Sequence, residues 1–173
     1  MKELKNQPCY DKDGNFLGWW SRSVAVLAVT FGIDKDNERY VLASQRGLGT
    51  PDPEFVGCWN CCCGYLDFGE TTKQAAIRET FEETGIDISE CKFIDMEWID
   101  EPGSDKRQNI SHRFLVILSD TIDKYEFSKK NNEKDEVGEI KWIPVSKIDD
   151  YKWAFGHNEI IKRFYHMKLK WMF

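Results

Sequence analysis

Apolar residues concentrate in short blocks along the chain, and these blocks predict its secondary structure. Residues 22–31 are rich in small and β-branched apolar side chains, which is typical of a buried strand. Residues 34–37 favour a turn, and residues 39–45 then predict a second strand. A Gly- and Pro-rich loop at 47–53 follows, and after it a short Trp/Cys stretch at 58–63.

The pattern then changes to that of a helix. Residues 71–84 predict a helix that ends at Gly85, because glycine is common just beyond a helix end. Strands are predicted at about 91–99 and 111–118, and a last strand at 139–144.

The remaining segments are mostly polar. We expect loops at 101–105 and at 119–136, whereas apolar residues at helical spacing in 157–170 predict a C-terminal helix. Because strands and helices mix without strict βαβ alternation, the prediction is an α/β fold with a mixed sheet covered by helices. The sequence has no internal repeat and no linker-like tract, so residues 1–173 are expected to form a single domain.

Composition narrows the functional classes. A chain of 173 residues has room for one core, and its net charge of −6 argues against bulk nucleic-acid binding, which needs a basic face. A small phosphorylated ligand stays open, because a bound metal ion supplies positive charge. With no signal-peptide-like or membrane-length apolar segment, we expect a cytoplasmic protein. The cysteines, three of them consecutive at 61–63, are therefore expected to be reduced.

The predicted helix carries a group of acidic side chains on one face. At about 100° per residue, Glu79, Glu82 and Glu83 fall within one sector. Ile77 and Phe81 fall on the opposite side, where they are expected to anchor the helix on the sheet. The acids are then expected to point outward.

Three neighbouring carboxylates raise one another's pKa unless positive charge lies among them. Hard oxygen ligands at this density suit Mg²⁺ or Mn²⁺, and Arg78 can hold one carboxylate by a forked hydrogen bond. The glycines from Gly64 to Gly69 let the backbone approach a metal ion or a phosphate, which makes Gly64 a candidate for substrate binding. Taken alone, such a cluster is more often the solvated face of an amphipathic helix.

The fixed spacing around the cluster changes that assessment. The segment resembles the Nudix box, Gly-x5-Glu-x7-Arg-Glu-U-x-Glu-Glu-x-Gly-U, in which U is a bulky aliphatic residue. Eight positions match it: Gly64, Glu70, Arg78, Glu79, Glu82, Glu83, Gly85 and Ile86. Thr80 departs from the pattern and is expected to pack as valine would. Cys62 and Cys63 stand where the family commonly has Pro and Gly, so the shape of this loop is not predicted.

The resemblance implies a Nudix-type α/β/α sandwich with a mixed β-sheet. It also implies metal-dependent hydrolysis of a nucleoside diphosphate linked to a further group X. Glu79, Glu82 and Glu83 become the candidate metal ligands, with Mg²⁺ or Mn²⁺ as cofactor, and Glu70 would support the metal site or a bound water.

The catalytic candidates are Arg78, Glu79, Glu82 and Glu136. One of the box glutamates, or Glu136 on a loop outside the box, would take the proton from the attacking water. Arg46, at the end of the second strand, would hold a substrate phosphate. A solvated loop acid and a surface arginine explain Glu136 and Arg46 about equally well.

Other interpretations remain beside this one. A Nudix fold can sense a nucleotide without hydrolysing it. The stretch Trp59 to Cys63 is also similar to isopentenyl-diphosphate isomerase, although that enzyme needs histidine ligands directly after its cysteines, where this chain has Gly64 and Tyr65. A zinc site at Cys58–Cys63 is disfavoured, because the chain offers no second clear pair of ligands.

Less is predicted about the rest of the chain. Residues 155–161 are faintly similar to a terminal motif of ADP-ribose-type members, which a helix start near Gly156 with an exposed His157 explains equally well. The expected binding partner is a small nucleotide, and the sequence does not identify which one. A homodimer is possible, and the sequence does not decide the oligomeric state.

Overall fold

The structure is a computed structural model that describes residues 6–102, 109–129 and 135–169. Its strands are β1 (Gln7–Tyr10), β2 (Phe16–Trp20), β3 (Val24–Ile33), β4 (Arg39–Arg46), β5 (Trp59–Asn60), β6 (Cys62–Tyr65), β7 (Lys92–Ile99), β8 (Ile110–Ile117) and β9 (Val137–Pro144). Its α-helices are α1 (Thr72–Thr84) and α2 (His157–Phe164).

The sheet is built around β3, as its uninterrupted apolar sequence predicts. β3 pairs in parallel with β8 and antiparallel with β4 and β6, so the sheet is mixed. β7 pairs with β8, and β9 pairs with β4. The predicted strands are confirmed, with ends that differ by two residues or fewer.

Two neighbouring strands diverge at one end of this sheet. β4 pairs with β3 only at the end of β3, from Phe31 to Ile33. Nearer the start of β3, Ala25 to Ala28 pair instead with β6. β5 pairs with β4 at Ser44 and Gln45, so β5 and β6 fill the space that opens between β3 and β4.

Side chains of β3 alternate between two apolar layers, as the period of a strand requires. Val26 and Ala28 face α1, whereas Leu27, Val29 and Phe31 face α2. The α1 layer also contains Leu42, Ala75, Ala76, Ile86, Ile88, Phe114 and Val116. The α2 layer contains Val41, Trp59, Leu115, Ile143, Ile160, Ile161 and Phe164. The predicted α/β/α sandwich is therefore confirmed.

Helix α1 has well-defined ends. Thr71 caps its first turn in a reciprocal arrangement with Gln74, and Gly85 ends it with a φ of 78°. A Cβ at Gly85 would lie 2.5 Å from that of Ser128, so this position needs glycine for space as well as for backbone conformation.

The expected anchoring face of α1 is confirmed for Ile77, which packs against the apolar layer on the α1 side of the sheet, and was wrong for Phe81. The buried residues are Ala75, Ala76, Thr80 and Thr84, whereas Phe81 is 43% exposed. The helix lies closer to the sheet than bulky anchors would allow. Thr80 is fully buried and donates its hydroxyl hydrogen to the carbonyl of Ala76 at 2.7 Å, so its expected packing is confirmed.

The N-terminal hairpin was not predicted. β1 and β2 form a separate two-stranded sheet whose aromatic side chains are exposed, among them Tyr10, Trp19 and Trp20. Its turn is organised by Asp11, whose carboxylate accepts from the backbone N–H groups of Asp13 and Asn15 at 2.8 Å.

The predicted loops and the predicted C-terminal helix are only partly described by the structure. The loop at 101–105 and the loop at 119–136 extend beyond the described residues, although 122–124 form a short 3₁₀ turn. The C-terminal helix is α-helical only to Phe164 and continues as a π-helical turn at Tyr165–Leu169. Across the described ranges, no helix is long and apolar enough to cross a membrane. The single-domain assignment stays a prediction.

Candidate active site

A cleft of about 930 Å³ lies at the end of the sheet where β4 diverges from β3, and it is lined by residues of β3, β4, β6 and α1. Its lining includes the seven residues predicted to be catalytic, substrate-binding or metal-binding: Arg46, Gly64, Arg78, Glu79, Glu82, Glu83 and Glu136. Residues from the strands, from the helix and from the loop before β9 therefore meet in one place. The volume lies in the range of pockets that hold small molecules.

Arg78 is the centre of the charged contacts. Its Nη1 donates to Glu79 Oε1 at 2.7 Å and to Glu82 Oε2 at 3.0 Å. Its Nε and Nη2 grip both oxygens of Glu70, at 3.1 and 2.7 Å, so the forked contact falls on Glu70. These hydrogen bonds lower the pKa of Glu70, and the same carboxylates raise the pKa of Arg78. The positive charge that the acidic cluster requires is therefore partly internal.

Glu83 lies in a different environment on the same helix. Its Oε2 accepts from the buried Ser44 hydroxyl at 2.5 Å, and its Oε1 accepts from the backbone N–H of Cys63 at 3.0 Å. Both donors are uncharged. Desolvation outweighs these hydrogen bonds and raises the pKa of Glu83 to about 7.

The helix contacts β6 along an edge where no strand pairs with it in the described ranges. Glu83 accepts a hydrogen bond from the N–H of Cys63, and Arg78 Nη2 donates to the carbonyl of Tyr65 at 2.9 Å. Because these side chains bind the backbone of an edge strand, the acids face the sheet and the cleft. The expectation that the acids point outward was wrong for Glu83, which binds the backbone of β6, whereas the Glu82 side chain is 44% exposed.

Gly64 lies between those two backbone contacts, and its lack of a side chain has a direct structural reason. A Cβ built on Gly64 would lie 2.1 Å from the carboxyl carbon of Glu79. The Glu79 side chain therefore crosses the bare backbone at Gly64, where burial raises the pKa of its carboxyl. The role of Gly64 in substrate binding stays a prediction.

The donor chemistry of this cluster fits a hard divalent cation, since all three candidate ligands are carboxylates on adjacent turns. The three do not converge, however. Among the described residues, no group of three His, Cys, Asp or Glu side chains is placed to hold one metal ion. Arg78 lies between Glu79 and Glu82 instead, so a shared cation requires these two side chains to turn away from it.

Arg46 extends from the end of β4 into the cleft and is not a surface arginine. Its side chain is 14% exposed, and its Nη2 lies 3.2 Å from Asp52 Oδ2 and donates to Thr50 Oγ1. Its guanidinium carbon lies 5.1 Å from the ring centre of Phe155. These contacts orient the guanidinium, although its role toward a substrate stays a prediction.

Glu136 reaches the same cleft from the loop before β9. Its backbone carbonyl accepts from the N–H of Gly47 at 2.7 Å, which fixes this part of the loop beside β4. Its side chain is exposed. A role as general base stays a prediction.

His157 and Phe155 line the cleft but were not assigned to it from the sequence. The expected exposure of His157 was wrong: it is 5% exposed, and its Nδ1 accepts from the N–H of Cys61 at 3.1 Å. Burial, together with the charges of Arg113 and Arg46, lowers the pKa of His157 to about 3. This neutral imidazole links α2 to β5 and β6. The faint motif at 155–161 was the signal for it.

The cysteines of the 58–63 stretch are buried or partly buried thiols. Cys58, Cys61 and Cys62 are buried, and all the described cysteines are free thiols. Burial raises the pKa of Cys61, Cys62 and Cys63 above that of an ordinary thiol. Within the described ranges they are not part of any group of three His, Cys, Asp or Glu side chains placed to hold a metal ion, and the absence of zinc stays a prediction.

Comparison with known proteins agrees with this geometry. A family model described as the NUDIX domain matches residues 21–164. An ADP-ribose pyrophosphatase of Methanocaldococcus jannaschii is 27% identical over 142 residues, which is 82% of this chain and 74% of the relative. An isopentenyl-diphosphate Delta-isomerase of Cutibacterium acnes is 27% identical over 143 residues, covering 77% of this chain and 70% of the relative.

Solved structures show the same fold. The NUDIX domain of Shewanella oneidensis NrtR, complexed with ADP ribose, superposes with a TM-score of 0.66 at 20% identity, covering 91% of this chain and 92% of that one. Two other curated relatives are longer, and the chain spans 44% and 24% of their lengths.

Proposed function

The chain belongs to the Nudix family, and from this premise we propose that it hydrolyses the diphosphate linkage of a nucleoside diphosphate linked to X. Water attacks one phosphorus, and Mg²⁺ or Mn²⁺ is the cofactor. We further propose a cytoplasmic enzyme that acts on a small nucleotide, without bulk nucleic-acid binding. A homodimer is compatible with this proposal, which does not depend on it.

The observation that carries the proposal is the position of Glu83. It is enclosed in the cleft with Glu79 and Glu82 on the same helix face, and it is bound by uncharged donors only. A carboxylate with no cation of its own, beside two others, is poised to share a divalent ion. Glu79, Glu82 and Glu83 would hold that ion, which when bound activates water and neutralises charge on the phosphates.

The other cleft residues are assigned roles around this centre. Arg78 holds Glu70, Glu79 and Glu82 in a fixed arrangement until the metal arrives. Arg46, oriented by Asp52, would bind a phosphate oxygen of the substrate. Glu136, or one of the box glutamates, would accept the proton of the attacking water.

The direct test is an incubation of the protein with a panel of nucleotides, with Mg²⁺, with Mn²⁺ and with a chelator. The panel includes nucleoside triphosphates, an oxidised triphosphate, ADP-ribose, a nucleotide sugar, a dinucleoside polyphosphate and NAD-capped RNA. We expect metal-dependent release of a nucleoside monophosphate from at least one member. Tight nucleotide binding without product would indicate the sensor interpretation instead.

A second candidate function is isomerisation of isopentenyl diphosphate, which the similarity to the isomerase relative supports. In this chain, however, Cys61 and Cys62 are buried, burial raises the pKa of both thiols, and Gly64 and Tyr65 stand where histidine ligands would be needed. Assay with isopentenyl diphosphate is therefore expected to give no isomer. Isomer formation that is lost in Cys63→Ala would favour the isomerase.

A further inference from the structure

The N-terminal hairpin carries an aromatic face that the rest of the described chain leaves uncovered. Pro8 pairs with Trp19, and Tyr10 pairs with Phe16, across the two strands. Paired residues point to the same face of a sheet, and so do residues two apart on one strand. These four side chains therefore share one face. We name this set, Pro8, Tyr10, Phe16 and Trp19, the aromatic face of the hairpin.

The three rings of the aromatic face form one continuous patch. The ring centres of Tyr10 and Phe16 lie 5.9 Å apart, those of Phe16 and Trp19 lie 6.2 Å apart, and both pairs meet edge to face. Each of the three side chains is more than half exposed. A single exposed ring such as Phe68 is ordinary, whereas exposed rings that touch one another mark a surface for interaction.

The hairpin lacks the support that a two-stranded sheet needs. Within the described ranges, β1 and β2 pair only with each other, and none of their residues belongs to either apolar layer of the domain. An isolated hairpin is marginally stable in water, and more strands with an apolar face are needed for independent stability. The NUDIX match begins at residue 21, directly after β2, so the hairpin is an addition to that domain. A second surface packed on the aromatic face would supply the missing support.

The charge of the hairpin indicates which surface this is. No charged side chain occurs at residues 6–10 or 15–21, although 31% of the chain is charged. The charges of the hairpin lie in its turn, where Lys12 pairs with Asp13 at 3.1 Å. A basic or acidic protein and an anionic membrane are recognised through charge, which the two strands do not offer. A second copy of the hairpin presents the same uncharged aromatic face, so this surface is complementary to itself.

The area of the aromatic face sets the strength of such an association. A buried aromatic side chain removes about 150–250 Å² from water, so three half-exposed rings together with Pro8 offer roughly 400 Å² per copy. Two copies would then bury about 800 Å², which is less than the roughly 1,200 Å² at which stable interfaces begin. Packed face to face, two hairpins would form four strands in two sheets about 10 Å apart. The area is that of a weak and reversible dimer.

We propose that the chain forms a weak homodimer in which the aromatic faces of two hairpins pack on each other about a two-fold axis. Each copy then covers the rings of the other, and the two hairpins stabilise one another. The dimer goes beyond the proposed hydrolysis and does not depend on it, since the described lining of the cleft begins at Ala25, after the hairpin.

The test is sedimentation equilibrium of the full chain over about 1–500 µM, the range in which a weak dimer dissociates. The wild type should change from monomer to dimer over this range. Trp19→Lys should weaken dimerisation by about tenfold or more, because it places an unpaired ammonium in the interface. Trp20→Lys is the matched control, since it changes the same residue type at the next position of β2, on the opposite face. Trp20→Lys should dimerise as the wild type does.

A mixture of Trp19→Lys with Trp19→Glu tests whether a second hairpin is the occupant. Both copies contribute position 19 to one small interface, so opposite charges there attract, and the mixture should dimerise at least about threefold more tightly than either variant alone. Urea unfolding verifies that each variant keeps the stability of the domain, because the hairpin lies outside both apolar layers.

Four results would each overturn the proposal. The wild type could stay monomeric at the highest concentration, Trp19→Lys could dimerise normally, Trp20→Lys could be weakened equally, or the mixture could dimerise no more tightly than its components. A monomeric wild type that binds vesicles of phosphatidylcholine would assign the aromatic face to a lipid surface instead. In none of these cases would the proposed hydrolysis be affected, because its assay is made on the cleft.

Discussion

The two ends of the acidic face of α1 hold their carboxylates in opposite ways. At the Arg78 end, Glu70, Glu79 and Glu82 share a single guanidinium. One turn further on, Glu83 has only a hydroxyl and a backbone N–H as donors. The pKa of Glu70 is lowered by its hydrogen bonds to Arg78, whereas burial raises the pKa of Glu79 in spite of Arg78 and raises that of Glu83 to about 7.

Similar residues in one run of sequence therefore do not form similar sites. Arg78 supplies one positive charge to the three carboxylates at its end, which offsets their charge in part without a ligand. The Glu83 end stays incomplete, because hydrogen bonds from neutral groups offset desolvation only in part. We therefore expect Glu83 to dominate function and Arg78 to dominate the architecture around it.

The largest effect should follow from Glu83→Gln. The amide keeps the size of the side chain and can still accept from Cys63, but it removes the negative charge. Turnover of the best substrate should fall by at least about a hundredfold, while the unfolding midpoint is retained. Steady-state kinetics with Mg²⁺ measures this, with Glu90→Gln, an exposed acid outside the cleft, as control. Full activity in Glu83→Gln would refute the assignment of roles.

Arg78→Lys tests the other end. Lysine keeps the charge but cannot contact Glu70, Glu79, Glu82 and the Tyr65 carbonyl together. We expect a loss of about 2 kcal/mol in the free energy of unfolding, measured with urea. The same change at Arg163, which pairs with Glu97 at the surface, should cost less than about 0.5 kcal/mol. Equal costs at both positions would contradict a central role for Arg78.

Gly64→Ala tests whether crowding of Glu79 reduces activity without reducing the stability of the fold. Its new Cβ meets the carboxylate of Glu79, which is the far end of a flexible side chain and can move aside. Activity should fall by about tenfold, whereas stability changes by less than about 1 kcal/mol. Parallel measurements of kcat/KM and urea unfolding decide the matter. A large loss of stability would show that the Glu79 side chain is locked in place.

The smallest expected effect is on the pH dependence of the free energy of unfolding. Glu70 and Glu83 should contribute to it with opposite signs. Glu70 has a lowered pKa when folded, so it adds stability above the unfolded pKa that is lost as pH falls through the folded value. Glu83 is raised from 4.5 to about 7, so its contribution is full below 4.5 and is lost as pH rises through about 7.

Metal-free unfolding at a series of pH values tests both signs. Relative to Glu83→Gln, the wild type should lose on the order of 1 kcal/mol between pH 5 and pH 8. Glu70→Gln should instead flatten the loss on the acid side of pH 4.5. If Glu83→Gln and Glu70→Gln altered stability over the same pH range, the proposed difference between the environments of Glu83 and Glu70 would be wrong.

Much of this molecule was predictable, because some signals are local. The apolar run that forms β3, the glycine after α1 and the acidic spacing on α1 each reflect a backbone period or a single conformational need. For the same reason the seven candidate residues could be chosen before it was known that one cleft gathers them.

The features that were missed depend on contacts between distant segments. Whether α1 rests on Phe81 or on Ala76 and Thr80 depends on how closely the sheet approaches, which a helical wheel does not contain. The divergence of β4 from β3 depends on where β5 and β6 insert. Burial of His157 depends on an N–H of Cys61, 96 residues earlier. None of these has a signature within one window of sequence.

The contacts along the outer edge of β6 have a consequence for the life of the protein in solution. A strand with unpaired backbone groups invites a strand of another molecule to add to it, which is a common route to aggregation. Here Glu83 and Arg78 occupy those groups. Glu83 and Arg78 thus also block the pairing of another strand with β6. Variants that remove these side chains are therefore expected to be less soluble as well as less active.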